Sequence, residues 1–355
     1  MNHKIEYETI DNCPVCGSKK SVYLFTNTDR LHGIPGEFGL NECGNCKAIY
    51  LSPRPSLKSL PLYYPDDYSP HHLDSMEASG FLREIRKRLR NTILYERYNY
   101  KNFEFQPRIK PDLIGKLLAY LLFFFGDRSR YNIHKVLFPP YTKNGKVLDI
   151  GCGPGYFLHL LKRLGFQAYG IEPGEIAASF GRNNFGLDIK KGTLLDYTFP
   201  DNYFHFITMT HVLEHIHNPV EVLIEAKRIL RPDGMIVIRT PNIASYGYKR
   251  FGKNWLPIET PRHLILYSKE SIVELADKTG LKLHTFSTTH VKGILFWALG
   301  YSVRDKNKNN KDFGFPEQFT IPQKLFINIL DLYERVLILS GKDVGEELQA
   351  VLVKR

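Results

Sequence analysis

Residues 147–161 read VLDIGCGPGYFLHLL. A short apolar run ends at Ile150, glycines follow at Gly151, Gly153 and Gly155, and a helical pattern opens at Tyr156. The order is therefore strand, tight loop, helix. Without Cβ atoms the loop can turn sharply and let a ligand approach the backbone, and the helix N-terminus offers N–H groups to a carboxylate. Asp149 stands before the loop, where it can meet an ammonium group. Glu172 ends the next strand, QAYGIEP, about twenty residues on, where an acid can take both hydroxyls of a ribose. A lone G-x-G-x-G is weak, and a nicotinamide enzyme would use G-x-G-x-x-G. The flanking acids are what make it specific.

Outward from this stretch the chain alternates strand and helix from Lys146: KVLDIG, YFLHLLKRLG, QAYGIEP, a helix from Glu175 to Asn183, LDIKKG, FHFITMTHV, VEVLIEAKRIL and GMIVIRTP. Such alternation specifies parallel strands with right-handed crossovers, hence an α/β, doubly wound sheet. SKESIVELADKTG has a serine cap, Glu270 in its first turn and a stop at Gly280. KLHTFSTTH is a strand, and ELQAVLVKR is another that would lie antiparallel beside it. The core is thus assigned to residues 141–290 with 345–355. The insertion between, 291–344, holds a polar loop, DKNKNNKD, and an apolar helix, QKLFINILDLYERVLILSG, set between Pro322 and Gly341. That helix is apolar on more than one face, which calls for a second surface: core, dimer partner or lipid.

The amino-terminal side is of another kind. Four of five cysteines form Cys13/Cys16 and Cys43/Cys46, two Cys-x-x-Cys knuckles that read as a zinc ribbon over residues 1–50. The 26 residues between the knuckles suit a β-hairpin, and four thiolates close a structural site with no open position. Residues 51–80 hold five prolines and read as a connector packed by its tyrosines. Residues 81–140 turn helical, with Leu82, Ile85, Leu89 and Ile93 on one face and six basic against two acidic residues between 81 and 98. This basic amphipathic segment can cap the core, meet an anionic membrane or touch RNA. The apolar run Leu117–Phe125 is too short to span a bilayer.

With 43 % hydrophobic and 24 % charged residues, the 355-residue chain reads as globular and not as fibrous or disordered. Its first residues show no secretory signal and no run approaches a membrane-spanning helix, so the expected location is cytoplasmic, with the inner membrane face as a peripheral site. A net charge of +11 favours an anionic partner without choosing among nucleic acid, phospholipid and phosphate-bearing substrate.

The ordered continuation GTLLDYTFPDNYFHFITMTHVLEHIHNPVEVLIEAKRILRPDGMIVIRTPN makes residues 141–290 resemble the Rossmann-like S-adenosylmethionine (SAM)-dependent methyltransferases. The resemblance implies a seven-stranded, mostly parallel sheet whose last strand is antiparallel. Asp149, Gly151, Gly153 and Gly155 would hold the methionine part of SAM and Glu172 its ribose. Thr193 and Leu194 fall where the family flanks adenine; its usual acid there is Thr193 here, with Asp196 three residues on. The paired knuckles, YLSPRPS and YYPDDYS resemble the zinc modules of bacterial sugar and glycan methyltransferases. Among nucleotide-sugar C-methyltransferases the catalytic histidines correspond to His215, in HVLEHI, and His263, in PRHLILYS, while the glutamate before the second is Arg262 here. The implied acceptor is a sugar, nucleotide-sugar or glycolipid precursor, methylated on oxygen or carbon.

A hydroxyl nucleophile needs a base, and histidine suits it; the candidates are His263, His215 and His211. The plainer role for each is packing beneath a strand end. His263 ranks first because it follows FGKNWLPIETPR, a loop whose aromatics and glycines suit a substrate, and neighbouring Arg262 could hold a substrate phosphate. Similarity to ubiquinone-pathway O-methyltransferases adds a divalent-cation site at His211, Glu214 and His215 as a further option. The competing functions are rRNA or tRNA methylation, against which THVLEH stands where base-nitrogen enzymes carry Asn/Asp-Pro-Pro-aromatic, and a SAM-binding adaptor without catalysis.

Overall fold

The computed structural model describes residues 5–64, 113, 138–306 and 319–355. The connector beyond Tyr64, the basic helix at 81–98, the apolar run Leu117–Phe125 and the polar loop from Asn307 lie outside the described residues. The chain divides into two units, one made of Met1–Asp66, Thr210–Lys227 and Ile238–Arg355, the other of Asp67–Met209 and Arg228–Val237.

In the first unit, strands β1 (Tyr7–Glu8), β2 (Ser21–Asn27), β3 (Phe38–Cys43), β4 (Ile49–Leu51) and β5 (Arg54–Pro55) build the cysteine module. β2 and β3 form the antiparallel hairpin between the knuckles, running from Ser21↔Cys43 to Asn27↔Phe38. Each knuckle closes on a left-handed residue, Gly17 (φ 81°) and Lys47 (φ 63°), whose N–H donates to the carbonyl of Cys13 and of Cys43. The strand does not stop at residue 50. β4 carries the sheet through Leu51, and Tyr63 beyond it is buried with its hydroxyl on the Pro35 carbonyl at 3.0 Å.

The second unit carries β6 (Lys146–Ile150), β7 (Gln167–Glu172), β8 (Asp188–Lys191) and β9 (Phe204–Thr210), all paired parallel to their neighbours around β6. The helices Tyr156–Arg163 and Glu175–Phe185 return the chain between them. Leu158 of the first packs with Ala178, Leu187 and Ile189, and all four are buried. Truncating Leu158 to alanine should cost about 2–5 kcal/mol.

With β10 (Leu230–Pro241), β11 (Ile265–Leu266), β12 (Leu281–Thr289) and β13 (Glu347–Lys354), the strands complete two larger sheets. The seven-stranded sheet has the order β12-β13-β10-β9-β6-β7-β8, and β13 runs antiparallel to β12 from Leu281↔Lys354 to Thr289↔Glu347. This is the mostly parallel α/β sheet with its antiparallel final strand that the alternation leads one to expect. The helix Lys269–Lys278 opens at Ser268, whose hydroxyl accepts from the Ser271 N–H, and ends before Gly280 at φ 70°. Between β12 and β13 stand the helices Lys292–Lys306 and Ile321–Leu339.

The four-stranded sheet has the order β11-β4-β3-β2. β11 pairs antiparallel with β4, Ile265↔Tyr50 and Leu266↔Ile49, so a strand from two hundred residues later in the chain finishes the cysteine module. Non-local pairing of this kind leaves no trace in local pattern.

Candidate active site

The second unit gathers the residues read as a cofactor cradle at the carboxyl ends of three adjacent strands. β6 ends in the glycine loop, β7 ends at Glu172, and Thr193 follows β8. Gly153 lies at φ 53°, and a Cβ built there would meet nothing within 4 Å, so the loop presents bare backbone to open space. Gly155, at φ 79°, is glycine for a second reason: a Cβ would come within 2.5 Å of Leu187 Cδ1. No side chain caps the helix that begins at Tyr156, which leaves its first-turn N–H groups for an anion.

The Glu172 carboxylate accepts from the Gly153 N–H and the Gly174 N–H, both at 2.8 Å, which fixes the acid against the loop. Asp149 is buried and accepts from the Thr208 hydroxyl at 2.5 Å. Burial pushes its carboxyl up to about 7 despite that bond. A buried acid of this kind is ready to pair with a ligand ammonium group. These features fit SAM, whose methionine end the resemblance puts at Asp149 and the loop and whose ribose it puts at Glu172. At the adenine position, Thr193 caps the short helix Leu194–Asp196, and its N–H and hydroxyl both donate to Asp196 Oδ2, at 2.6 and 2.8 Å. Asp196 is therefore spent on the turn. Leu194 is buried in the core, while its neighbour Leu195 is exposed.

The first unit gathers the other candidates. Glu214 is fully buried, and its Oε2 accepts from the Thr240 hydroxyl at 2.9 Å. His215 Nδ1 lies 3.0 Å from the Arg262 carbonyl and 2.8 Å from the Tyr64 hydroxyl. His263 Nδ1 lies 2.7 Å from the Pro257 carbonyl. A carbonyl can only accept, so in both rings Nδ1 carries a proton, and in the neutral form of either ring the lone pair is on Nε2. The two rings meet edge to face at 4.7 Å between centroids. Burial holds His215 down at about 4, so this ring is neutral near pH 7. Glu259 Oε2 lies 3.9 Å from His263 Nε2. The acid that the resemblance lacks at Arg262 is thus present in space four residues earlier.

Three expectations are corrected here. His211 faces carboxylates through both nitrogens, Nδ1 to Glu214 at 3.3 Å and Nε2 to Glu347 at 3.0 Å. Burial opposes its charge, but those hydrogen bonds win and raise it to about 10. Among the described residues the ligand atoms of His211, Glu214 and His215 are not gathered within 4.8 Å of one another. The ligand atoms that do lie within 4.8 Å of one another belong to Glu214, His215 and His263. Arg262 cannot hold a substrate phosphate either. Its guanidinium has no exposed surface and donates to Asp29 Oδ1 at 2.6 Å, to Asp29 Oδ2 at 3.1 Å, to Glu259 Oε1 at 2.7 Å and to the Tyr63 carbonyl at 2.9 Å. Last, the two aromatic rings of the segment before His263 are turned inward: Trp255 is buried with Nε1 on Glu346 Oε2 at 2.5 Å, and Phe251 is half-buried against the cluster of Leu295, Ile327 and Leu330.

The four cysteines converge as expected, with every sulfur within 4.8 Å of the others. Cys13 Sγ to Cys46 Sγ is 3.6 Å and Cys16 Sγ to Cys43 Sγ is 3.4 Å. Tetrahedral zinc with bonds of about 2.3 Å needs sulfur edges of roughly 3.8 Å. The donor set and its spacing fit that ion.

The sheet order and the glycine-loop cradle are similar to those of Rossmann-like SAM-dependent methyltransferase domains. Residues 124–285 match the family model described as "Methyltransferase domain". Over 150 residues the chain is 26 % identical to a probable S-adenosylmethionine-dependent methyltransferase of Mycolicibacterium smegmatis, covering 42 % of this chain and 56 % of that protein. It is 32 % identical over 107 residues to a ubiquinone biosynthesis O-methyltransferase of Actinobacillus pleuropneumoniae, covering 27 % of this chain and 46 % of that one. The chain thus spans about half the length of these curated relatives. Among solved structures it is similar to a SAM-dependent methyltransferase of Thermotoga maritima, a possible histamine N-methyltransferase, at 21 % identity and a TM-score of 0.41, covering 67 % of this chain and 96 % of that one.

Proposed function

We propose that the chain methylates a hydroxyl of a sugar, nucleotide-sugar or glycolipid precursor with SAM as donor. The observation that carries this reading is the 2.7 Å contact of His263 Nδ1 with the Pro257 carbonyl: it commits Nδ1–H, so in the neutral ring the lone pair of Nε2 remains to take a proton. SAM, when bound, supplies an electrophilic methyl group on a positively charged sulfur. Asp149 would take its ammonium group and Glu172 its ribose hydroxyls. His263 Nε2 would accept the acceptor hydroxyl's proton as the oxygen–methyl bond forms and the sulfur–methyl bond breaks. Glu259 would then stabilise the imidazolium, since its carboxylate is held below the usual range; burial opposes that charge, and His263 and Arg262 overcome it.

The sugar class is supported by the four-cysteine module in front of this core and by the pairing of His215, His263 and a nearby acid. The relatives named for ubiquinone biosynthesis favour a second reading, a phenolic hydroxyl on an isoprenoid lipid, which the same base would serve. We further infer that Cys13, Cys16, Cys43 and Cys46 hold one structural zinc, which β4 and β11 connect to the segment bearing His263.

Labelled SAM incubated with the protein and fractionated cell extract tests the class of acceptor. Label in the nucleotide-sugar or glycolipid fraction is the expected result. Label in quinone lipids selects the second reading, and label in RNA overturns both. SAM binding with no transfer to any pool would leave a non-catalytic adaptor.

A further inference from the structure

The helix Ile321–Leu339 has two apolar faces, and among the described residues only one of them is covered. On the inner face Ile327 and Leu330 pack against Leu295, with Tyr246, Phe251 and Phe296 at the margin. On the outer face stand Ile321, Leu325, Ile329, Leu332, Val336 and Leu339, each between 54 and 82 % exposed. Their spacings are 4, 4, 3, 4 and 3 residues, one side chain per helical turn, which makes a single straight stripe about 28 Å long. Isolated exposed leucines need no explanation, but a continuous stripe of this length marks an interaction surface.

The exposed charges on the helix and on the segment beside it are basic, and the one acid just past its end, Asp343, is engaged by Lys269 at 2.8 Å. The helix has two acids, and both are buried: Asp331 pairs with His290 at 3.2 Å and with Arg335 at 3.0 Å, and Glu334 has no exposed surface. Lys324, on the helix, and Lys342, just past its end, are exposed. Beside it the helix Tyr246–Phe251 and the turn Gly252–Asn254 add exposed Lys249, Arg250 and Lys253 with no acid. Two contacts fix this neighbour against the stripe: Arg250 lies 5.8 Å over the Phe326 ring, and the Tyr246 ring lies 5.3 Å from that of Tyr333.

We propose that this face docks on an anionic lipid surface, the helix lying in the headgroup layer with its stripe toward the acyl chains and its lysines and Arg250 on lipid phosphates. An amphipathic helix with basic margins binds membranes this way, by apolar burial added to attraction for anionic headgroups. A second copy is a poorer occupant, because a two-fold contact sets the same patch against itself and would bring the cationic margins together. The helix lies on the bilayer and does not cross it; no helix among the described residues is long and apolar enough to span a membrane. The docking stands on this surface alone, whatever the methyl acceptor.

The experiment is flotation of the full chain with vesicles of phosphatidylcholine, with and without phosphatidylglycerol. The wild type should float with the anionic vesicles, remain behind with the neutral ones, and release as salt screens the contact. Leu325→Asp with Leu332→Asp should weaken flotation at least about tenfold, and Lys324→Glu with Arg250→Glu should weaken it on anionic vesicles. Both pairs are exposed, and unchanged circular dichroism and SAM affinity would show that the fold survives. Wild-type protein that ignores anionic vesicles, or a Leu325/Leu332 variant that floats as well as wild type, overturns the proposal. So does a wild-type dimer that the same two substitutions dissociate, which would assign the stripe to a second copy.

Discussion

The Arg262 guanidinium grips the Asp29 carboxylate through two hydrogen bonds, 2.6 and 3.1 Å long, and neither side chain has exposed surface. Asp29 belongs to the loop between β2 and β3 of the cysteine module, and Arg262 immediately precedes His263. Removing one partner strands the other charge in the interior. Asp29→Ala should therefore destabilise the chain by about 3–5 kcal/mol. Urea unfolding would measure it, and a loss under about 1 kcal/mol would mean that Glu259 and the Tyr63 carbonyl suffice for Arg262.

His263→Ala should keep SAM affinity and lose roughly 10²–10⁴-fold in turnover, the size of a general-base contribution. Glu259→Gln should lower turnover less, because it removes the support for the imidazolium and leaves Nε2 in place. If His263→Ala costs under about threefold on the true acceptor, far short of that range, the residue only packs and the base is His215.

SAM affinity should depend on pH through Asp149. With the carboxyl pushed up to about 7, the acid is mostly neutral at pH 6, and the ammonium group of the cofactor favours its ionised form. Affinity should rise from pH 6 toward 7.5 and fall again as the α-amino group loses its proton near about 7.7–8.0. Asp149→Asn should flatten the acid limb. Calorimetry across this range checks both, and an unchanged acid limb in the variant would place the titrating group elsewhere.

His211 makes stability fall at high pH. Its folded-state value, about 10, lies above the ordinary 6.5, so its contribution is complete below about pH 6.5 and is lost as pH rises toward 10. Its carboxylate partners work in the other direction: Glu214 and Glu347 are held at about 2, so their contribution is present above about pH 4.5 and lost on acidification toward 2. In both acids burial resists the charge and the His211 contact prevails; Arg239 adds an ion pair to Glu347. The stability gap between wild type and His211→Gln should be widest near neutral pH and close toward pH 10. A gap unchanged to pH 10 would show that His211 is not charged in the native state.

Metal loss should act on one function and spare another. Cys46→Ser should release zinc and lower turnover, since β4 pairs with β11 two residues past His263. SAM affinity should persist, because Asp149, Gly153 and Glu172 belong to the other unit. Elemental analysis that finds no zinc in protein purified without chelator would refute the metal itself.

The grouping of Asp149, the three glycines and Glu172 at the strand ends could be read from sequence because it is local: they lie within 24 consecutive residues, and each position follows from what a turn or a strand end requires. The cysteine knuckles were legible for the same reason. The histidine cluster was legible only in part. His215 and His263 stand out by residue type, but Tyr64 reaches His215 from 151 positions away, which no local pattern encodes. Glu259 did leave a signal, its i, i+4 spacing from His263 in ETPRH, although it does not stand directly before the histidine. Arg262 misled because its neighbours in sequence gave no hint of Asp29, 233 residues earlier.

The pairing of β11 with β4 also sets an order of events during synthesis. The knuckles and the β2–β3 hairpin are complete once residue 51 has been made, but the open edge of β4 acquires its partner only after Leu266 has left the ribosome. Throughout that interval an apolar strand, Ile-Tyr-Leu, waits with unpaired backbone groups, the kind of edge at which nascent chains associate wrongly. Early metal capture by the four cysteines would hold the hairpin in shape during the wait. A cell short of zinc would then suffer first in the yield of soluble chain, before any mature molecule lost its ion.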